Sequence, residues 1–165
     1  MSAADPFSVP GAEWERVSPR LAVMRRGVTA VVSVLVLAGA VLMAVVDPDR
    51  RSWWIALAVA TVLVAGWAWW VIGRQVSAWG FVEREHDLVV TRGRFWRRLD
   101  VVPYGRMQLV DVTAGPLDRA AGLTVVRMHT ASPSSNAHVP GLPPVVAQRL
   151  RNRLTERGEA QAAGL

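Results

Sequence analysis

The chain has 165 residues, 19 of them basic and 13 acidic, which gives a net charge of +6. It contains no cysteine, so disulfides, thiolate chemistry and cysteine-based zinc sites are excluded. A basic balance of this kind is typical of proteins that meet nucleic acid or an anionic membrane surface.

Two uninterrupted apolar runs follow the leader, over residues 28–46 and 53–72. Neither run contains a charged residue, and as helices they are roughly 28–30 Å long, the thickness of a bilayer's hydrocarbon core. Only residues 47–52 separate them, and so short a connector forces the two helices to be antiparallel. The sequence therefore predicts an N-terminal segment over residues 1–27 and a transmembrane hairpin over residues 28–72.

The distribution of arginine predicts the orientation of this hairpin, because positive residues accumulate on the cytoplasmic side. Arg50 and Arg51 in the connector are balanced by Asp47 and Asp49. The outer flanks carry Arg16, Arg20, Arg25, Arg26, Arg74, Arg84, Arg92 and Arg94. We therefore expect a multi-pass protein of the cytoplasmic membrane with both termini in the cytoplasm. The alternative is a signal peptide cleaved near the small residues 38–40, although the leader is long and acidic for one.

Small residues predict where the two helices pack, because they let membrane helices approach closely. The candidates are Gly39, Ala40 and Ala44 on the first helix and Ala56 and Ala60 on the second. The alternative interpretation is that alanine is simply common in membrane helices. No ionisable residue lies inside either run, which argues against an ion path or a proton relay.

From residue 73 onward the pattern changes to short β-rich segments separated by turn signals. Antiparallel strands are predicted over residues 77–84, 88–92, 95–102, 106–114, 123–130 and 137–139. A helix over residues 143–157, ended by Gly158, has Val146, Leu150 and Leu154 as its buried stripe. The predicted domain, residues 73–158, is a small sandwich or open barrel closed by its last helix. Residues 159–165 form a tail.

A set of residues in this domain resembles the bacterial pleckstrin-homology-like domain of YdbS-type membrane proteins. The set is Pro103, Arg106, Gln108, Gly115, Pro116, Leu117, Arg119, Gly122 and Leu123, continued by Pro140, Gly141 and Leu142. The resemblance covers about residues 20–157, because a pair of transmembrane helices commonly precedes the domain in that family. Met107 and Ala114 depart from the pattern. The resemblance implies two antiparallel sheets capped by a C-terminal helix, in the membrane of a bacterial cell, and implies little about activity.

The densest charge cluster follows the second predicted strand of the domain. Arginines interleaved with aromatic residues suit contact with lipid phosphates, and the candidates are Arg92, Arg94, Trp96, Arg97 and Arg98. The alternative interpretation is a solvated hairpin whose arginines keep a sheet edge soluble.

Two further arginine groups have structural explanations. The last helix carries Arg149, Arg153 and Arg157. The helix macrodipole stabilises cations in the last turns of a helix. Arg106 and Arg119 are expected to fix loop geometry by binding carbonyl groups or the carboxylates of Asp111 and Asp118.

Catalysis has almost no support in this sequence. His86, His129 and His138 lack metal-ligand spacing, and no nucleophile elbow or phosphate loop is present. We expect no enzyme, no cofactor, no metal and no nucleic-acid partner. The predicted function is a scaffold or binding module at the cytoplasmic membrane face, for anionic lipid, a protein partner or a second copy of the chain. The alternative is an accessory subunit of a membrane transport or envelope-stress complex, with the hairpin as its binding element.

Overall fold

The computed structural model describes residues 14–94, 97–130 and 136–163, which fall into two compact units. One unit is the helical segment Ala22–Arg74, and the other combines the described parts of Met1–Leu21 and Gln75–Leu165. The predicted order of a helical hairpin, two antiparallel sheets and a C-terminal helix is confirmed.

Two helices of equal length make the hairpin, α1 (Arg20–Val46) and α2 (Arg51–Ser77), joined by a 3₁₀ turn at Pro48–Arg50. Pro48 suits the first position of that turn because it has no N–H to leave unpaired. Both helices extend beyond the apolar runs, since the polar residues that flank the runs are helical as well. Each is long and apolar enough to cross a membrane.

The least exposed side chains of the apolar runs repeat every three or four residues along each helix. They are Thr29, Ser33, Leu37, Ala40 and Ala44 on α1, and Trp54, Ala58, Thr61, Ala65, Ala68, Val71 and Ile72 on α2. Of the predicted pairing residues, Ala40 and Ala44 therefore lie on the covered face of α1. Gly39, Ala56 and Ala60 are exposed on the described unit, and a Cβ at Gly39 would meet nothing within 4 Å.

The first sheet has the order β1-β2-β3-β4, with all pairs antiparallel. Its strands are β1 (Glu15–Arg16), β2 (Gly80–Glu83), β3 (Asp87–Arg92) and β4 (Arg98–Pro103). β3 is its centre of hydrophobic burial, because Leu88, Val89 and Val90 are fully buried. A 3₁₀ turn at Tyr104–Arg106 carries the chain out of this sheet.

The second sheet has the order β5-β6-β7, formed by β5 (Met107–Thr113), β6 (Thr124–Thr130) and β7 (Ala137–Leu142). A short helix, α3 (Pro116–Ala120), connects β5 to β6. The last helix, α4 (Pro144–Ala162), packs against β5 and β6 and buries Ala147, Leu150 and Leu154.

β1 precedes the hairpin in sequence but pairs with β2, which follows it. Several contacts hold the segment that contains β1. The N–H of Ser18 donates to the carbonyl of Gly141 at 2.9 Å, Val17 is buried, and Leu21 is only 2 % exposed. Leu21 packs where a side chain on Gly141 would stand, and Gly141 has a φ of 71° that favours glycine. The α1–α2 hairpin is thus an insertion between the first two strands of the sheet domain.

Three predicted boundaries are wrong. α2 continues to Ser77, so the strand predicted over residues 77–84 begins only at Gly80. Gly158 does not end the last helix but lies inside it, because α4 makes further contacts with the 3₁₀ turn and continues to Ala162. The strand predicted over residues 137–139 continues to Leu142 as β7. The break predicted after β5 is present, and it contains α3.

Candidate functional site: an arginine-lined cavity

The predicted arginine cluster lies on the hairpin that joins β3 to β4. Gly93 begins the reversal with a φ of 81°, a conformation that side-chain-bearing residues rarely adopt. In the antiparallel ladder Arg92 lies directly opposite Arg98. Like charges in opposing positions of a sheet destabilise it, so this pair requires compensation.

Asp100 supplies that compensation from β4. One of its carboxylate oxygens lies 3.1 Å from Nε of Arg92, and the other lies 3.9 Å from Nε of Arg98. The Asp100 side chain is 20 % exposed and that of Arg92 is 27 % exposed, whereas Arg98 is 68 % exposed. Asp100 and Arg92 are therefore the shielded members of the cluster, and Arg98 is exposed to solvent.

The hairpin arginines surround an open cavity of about 590 Å³, which we call the arginine cavity. Its walls are Gln75, Trp79, Arg92, Gly93, Arg94, Arg97 and Arg98. Four of the five predicted contact residues are thus brought together, and the fifth, Trp96, lies outside the described residues. Cavities of this size are common for small-molecule sites in proteins.

The sequence alone did not point to Gln75 and Trp79 as part of this site. Gln75 belongs to the last turn of α2, and Trp79 precedes β2. The Trp79 ring packs on His138 of β7, with ring centroids 5.2 Å apart. Their place in the cavity depends on the pairing of β2 with β3, which no local pattern near residue 75 encodes.

A second group of arginines belongs to α4 and has a different role. Arg153 forms an ion pair with Glu83 at 2.9 Å. Arg157 donates to the carbonyl of Arg84 at 2.7 Å and to the hydroxyl of Tyr104 at 3.0 Å. Arg149 is exposed on the same helix. Arg153 and Arg157 therefore fasten α4 to the first sheet.

Burial changes the proton affinity of two groups in this α4 contact. Glu83 has a pKa raised above its ordinary value because burial disfavours its charge more than Arg153 and Arg157 favour it. Burial also raises the pKa of Tyr104, against the opposing effect of Arg157. Tyr104 therefore stays neutral and donates its hydroxyl proton to the carbonyl of Arg84 at 3.0 Å.

The three histidines lie in separate surroundings. His86 contacts Gln161 at 3.2 Å, His129 lies 3.7 Å from Asp111, and His138 packs on Trp79. Within the described residues, no group of three or more histidine and acidic side chains is placed to hold a metal ion.

The residues that carry the family resemblance surround the β4–β5 corner and α3. Asp118 accepts the N–H of Gly115 at 3.1 Å and thereby closes the start of α3. Arg106 and Arg119 are exposed, and in the described chain neither side chain shows the expected bond to a carbonyl group or to Asp111 or Asp118. The other members are Pro103 at the end of β4, Gln108 in β5, Pro116 and Leu117 in α3, Gly122 with a φ of 66°, and the buried Leu123.

These observations define a class of protein: a two-sheet β domain capped by a helix, with an apolar helical hairpin inserted after its first strand. Residues 26–158 match the family model described as Bacterial PH domain. The chain therefore belongs to the bacterial PH domain family, whose members are generally non-catalytic binding modules. The narrower resemblance to YdbS-type proteins stays a prediction. Neither the curated proteins nor the solved structures contain a match to this chain.

Proposed function

We propose that this chain is a non-catalytic binding module of the cytoplasmic membrane, anchored by α1 and α2, whose β3–β4 arginines contact anionic lipid headgroups. The observation that carries this proposal is the arginine cavity, which is lined by Arg92, Arg94, Arg97 and Arg98. Arginine is suited to this contact because its planar fork binds phosphate oxygens in pairs.

The position of Gln75 in the chain supports a lipid surface as the partner. Gln75 follows Ile72, the last residue of the predicted span, by three residues of one continuous helix. The corresponding rise is about 4.5 Å, within reach of the headgroup region. A tethered domain is present at the membrane at a high effective concentration. Contacts of about 1 kcal/mol per arginine are therefore enough to keep the β3–β4 hairpin on the lipid surface.

Amide hydrogen exchange of the full chain in nanodiscs tests this proposal. We expect the amides of the β3–β4 hairpin to exchange more slowly in discs that contain phosphatidylglycerol than in phosphatidylcholine discs. High salt should remove the difference because the contact is electrostatic. The double substitution Arg94→Gln and Arg97→Gln should also remove it, while leaving the two ion pairs of Asp100 in place.

A matched control has the same loss of charge elsewhere on the domain. Arg106→Gln with Arg119→Gln removes two exposed arginines outside the cavity and should leave the lipid-dependent protection intact. Equal exchange in both kinds of disc at low salt, or equal protection in the parent and the cavity variant, would contradict lipid binding at this site.

An accessory subunit of a membrane transport or envelope-stress complex is the second candidate function. An open groove of about 490 Å³ on the helical unit favours it. The groove is lined by residues of both helices, including the hydroxyl-bearing Thr29, Ser33 and Thr61. The hydroxyls of Thr29 and Thr61 donate to carbonyl groups of their own helices, and their oxygens can still accept a hydrogen bond from a partner helix in this groove. This candidate leads if the nanodisc experiment contradicts lipid contact.

A further inference from the structure

The arginine cavity has features that a general attraction to a charged surface does not require. Its arginines are arranged around a concave space rather than spread over a flat face, and Trp79 and Gln75 close it on the side of β2. Arg92 and Arg98 are held in opposing positions of the ladder at a cost in stability. Asp100 compensates part of that repulsion, and an anion bound between Arg92 and Arg98 would add to the compensation.

We propose that the arginine cavity is a discrete site for one phosphomonoester group, and that Asp100 is the internal counter-ion that determines its specificity. This inference rests on the proposed function, because it names the ligand class of the same surface. The phosphate group could be carried by a lipid headgroup or by a small soluble molecule, and the chemistry of recognition is shared.

The charges of the cavity favour a dianion. Asp100 engages Nε of Arg92 at 3.1 Å and lies 3.9 Å from Nε of Arg98, so a ligand must compete with a carboxylate of charge −1. A phosphodiester has one negative charge and two terminal oxygens. Its attraction to the arginines is therefore little stronger than that of the Asp100 carboxylate. A phosphomonoester has a charge between −1.5 and −2 near neutral pH and three acceptor oxygens. It can therefore engage Arg94 and Arg97 as well as the two arginines beside Asp100.

Trp79 gives the cavity an apolar wall for the carbon atoms attached to the phosphate. The contact of its ring with His138 holds the indole in place, and the indole also lines the cavity. Gln75 adds an amide that can donate to a phosphate or hydroxyl oxygen.

Asp100 has two opposing effects on the binding of a phosphate group. It holds the Arg92 side chain at 3.1 Å, which orders the site, but it also occupies the donor that a phosphate would use. Asn at this position keeps the shape and a hydrogen-bond acceptor but removes the competing charge. Asp100→Asn should therefore bind both phosphate classes more tightly and discriminate between them less.

The test uses the full chain and two kinds of probe. Native mass spectrometry of the detergent-solubilised protein counts retained lipids, with phosphatidic acid as the monoester and phosphatidylglycerol as the diester. Calorimetry on the same protein compares glycerol 3-phosphate with glycerophosphocholine. We expect one phosphatidic acid per chain and an affinity about tenfold above that for phosphatidylglycerol, the effect of one additional charge-assisted hydrogen bond.

Two variants and one control sharpen this result. Asp100→Asn should raise the affinity for both lipids and reduce the ratio of the affinity for phosphatidic acid to that for phosphatidylglycerol. The double variant Arg94→Gln with Arg97→Gln should abolish retention of phosphatidic acid. Asp111→Asn removes a carboxylate from the other sheet, beside His129, and should change nothing. Amide exchange across the β3–β4 ladder verifies that each variant is folded.

The outcomes separate this inference from the proposed function. Retention that follows lipid charge alone, with Asp100→Asn equal to Asp111→Asn, overturns the discrete site but leaves anionic lipid binding standing. If the protein retains no anionic lipid, shows no lipid-dependent change in amide exchange and does not bind glycerol 3-phosphate, both this inference and the proposed function are overturned. Binding of glycerol 3-phosphate without retention of phosphatidic acid supports the phosphomonoester site and identifies its source as a soluble molecule, which contradicts the lipid contact of the proposed function.

Discussion

Glu83 lies where α4 crosses the first sheet, with its side chain only 12 % exposed and Arg153 at 2.9 Å. The neighbouring arginines stabilise the charged form of a carboxylate in this position, whereas its loss of hydration destabilises that form. Burial has the larger effect, so the pKa of Glu83 is raised and the folded protein holds this proton to a higher pH than the unfolded chain. The ion pair with Arg153 consequently fixes the position of α4 more than it stabilises the domain.

The stability of the domain should therefore fall as pH rises through the raised pKa of Glu83. Between the ordinary and the raised pKa the folded state binds more protons than the unfolded state, and a negative slope of unfolding free energy against pH follows. Glu83→Gln removes this titration and should flatten that part of the curve. Chemical unfolding of the full chain in detergent, followed by far-ultraviolet circular dichroism at several pH values, measures the slope.

Glu156→Gln serves as the control for Glu83→Gln, since it removes an exposed carboxylate from α4, the helix that packs near Glu83. Its curve should keep the slope of the parent. If unfolding free energy depends on pH in the same way for the parent and for Glu83→Gln, then desolvation of the Glu83 carboxylate does not outweigh its attraction to the arginines.

At the scale of elements, two glycines with different surroundings should respond to alanine in opposite directions. Gly158 lies inside α4, and a Cβ there would meet the carbonyl oxygen of Tyr104 at an ordinary 3.5 Å. Glycine in a helix interior costs about 1 kcal/mol relative to alanine, so Gly158→Ala should stabilise the domain by up to that amount. Gly141→Ala should destabilise it, because of the positive φ and the side chain of Leu21.

Thermal unfolding of the full chain in one detergent compares the two alanine variants directly. The midpoint should rise for Gly158→Ala and fall for Gly141→Ala. A fall for Gly158→Ala would mean that α4 cannot approach the 3₁₀ turn once a methyl group is added.

The elements that the sequence predicted best are those with a local signal. β3 and β6 were expected within one residue of their observed starts, because alternating β-branched residues lie between clear turn signals. β1 has only two residues and no such pattern, so its pairing with β2 across the whole hairpin could not be read locally. The arginines of the cavity were predictable from their density in sequence, whereas Gln75 and Trp79 required the tertiary fold.

For the whole molecule, the insertion of α1 and α2 between two paired strands constrains how the chain can cross a membrane. Arg16 of β1 is the register partner of Gly80 of β2, so residues on either side of the hairpin lie one strand spacing apart. If α1 and α2 span a membrane as proposed, both residues lie on the same side of the bilayer and the chain between them crosses it an even number of times. A soluble fragment that begins near Arg74 would lack β1 and the buried Val17 and Leu21.

The absence of cysteine from the chain provides a direct test of this arrangement. Single cysteines at three exposed positions, Glu15→Cys, Asp49→Cys and Ala163→Cys, can each be probed in intact cells with a membrane-impermeant maleimide. The pairing of β1 with β2 predicts that Glu15→Cys and Ala163→Cys behave alike. The arginine bias predicts that both are labelled only after lysis, while Asp49→Cys in the connector is labelled from outside. Labelling of all three in the reversed pattern would keep the pairing but invert the orientation, and would remove the anionic inner leaflet as the surface facing the arginine cavity. Opposite labelling of Glu15→Cys and Ala163→Cys would mean an odd number of crossings, which the hydrogen bonds between β1 and β2 do not permit.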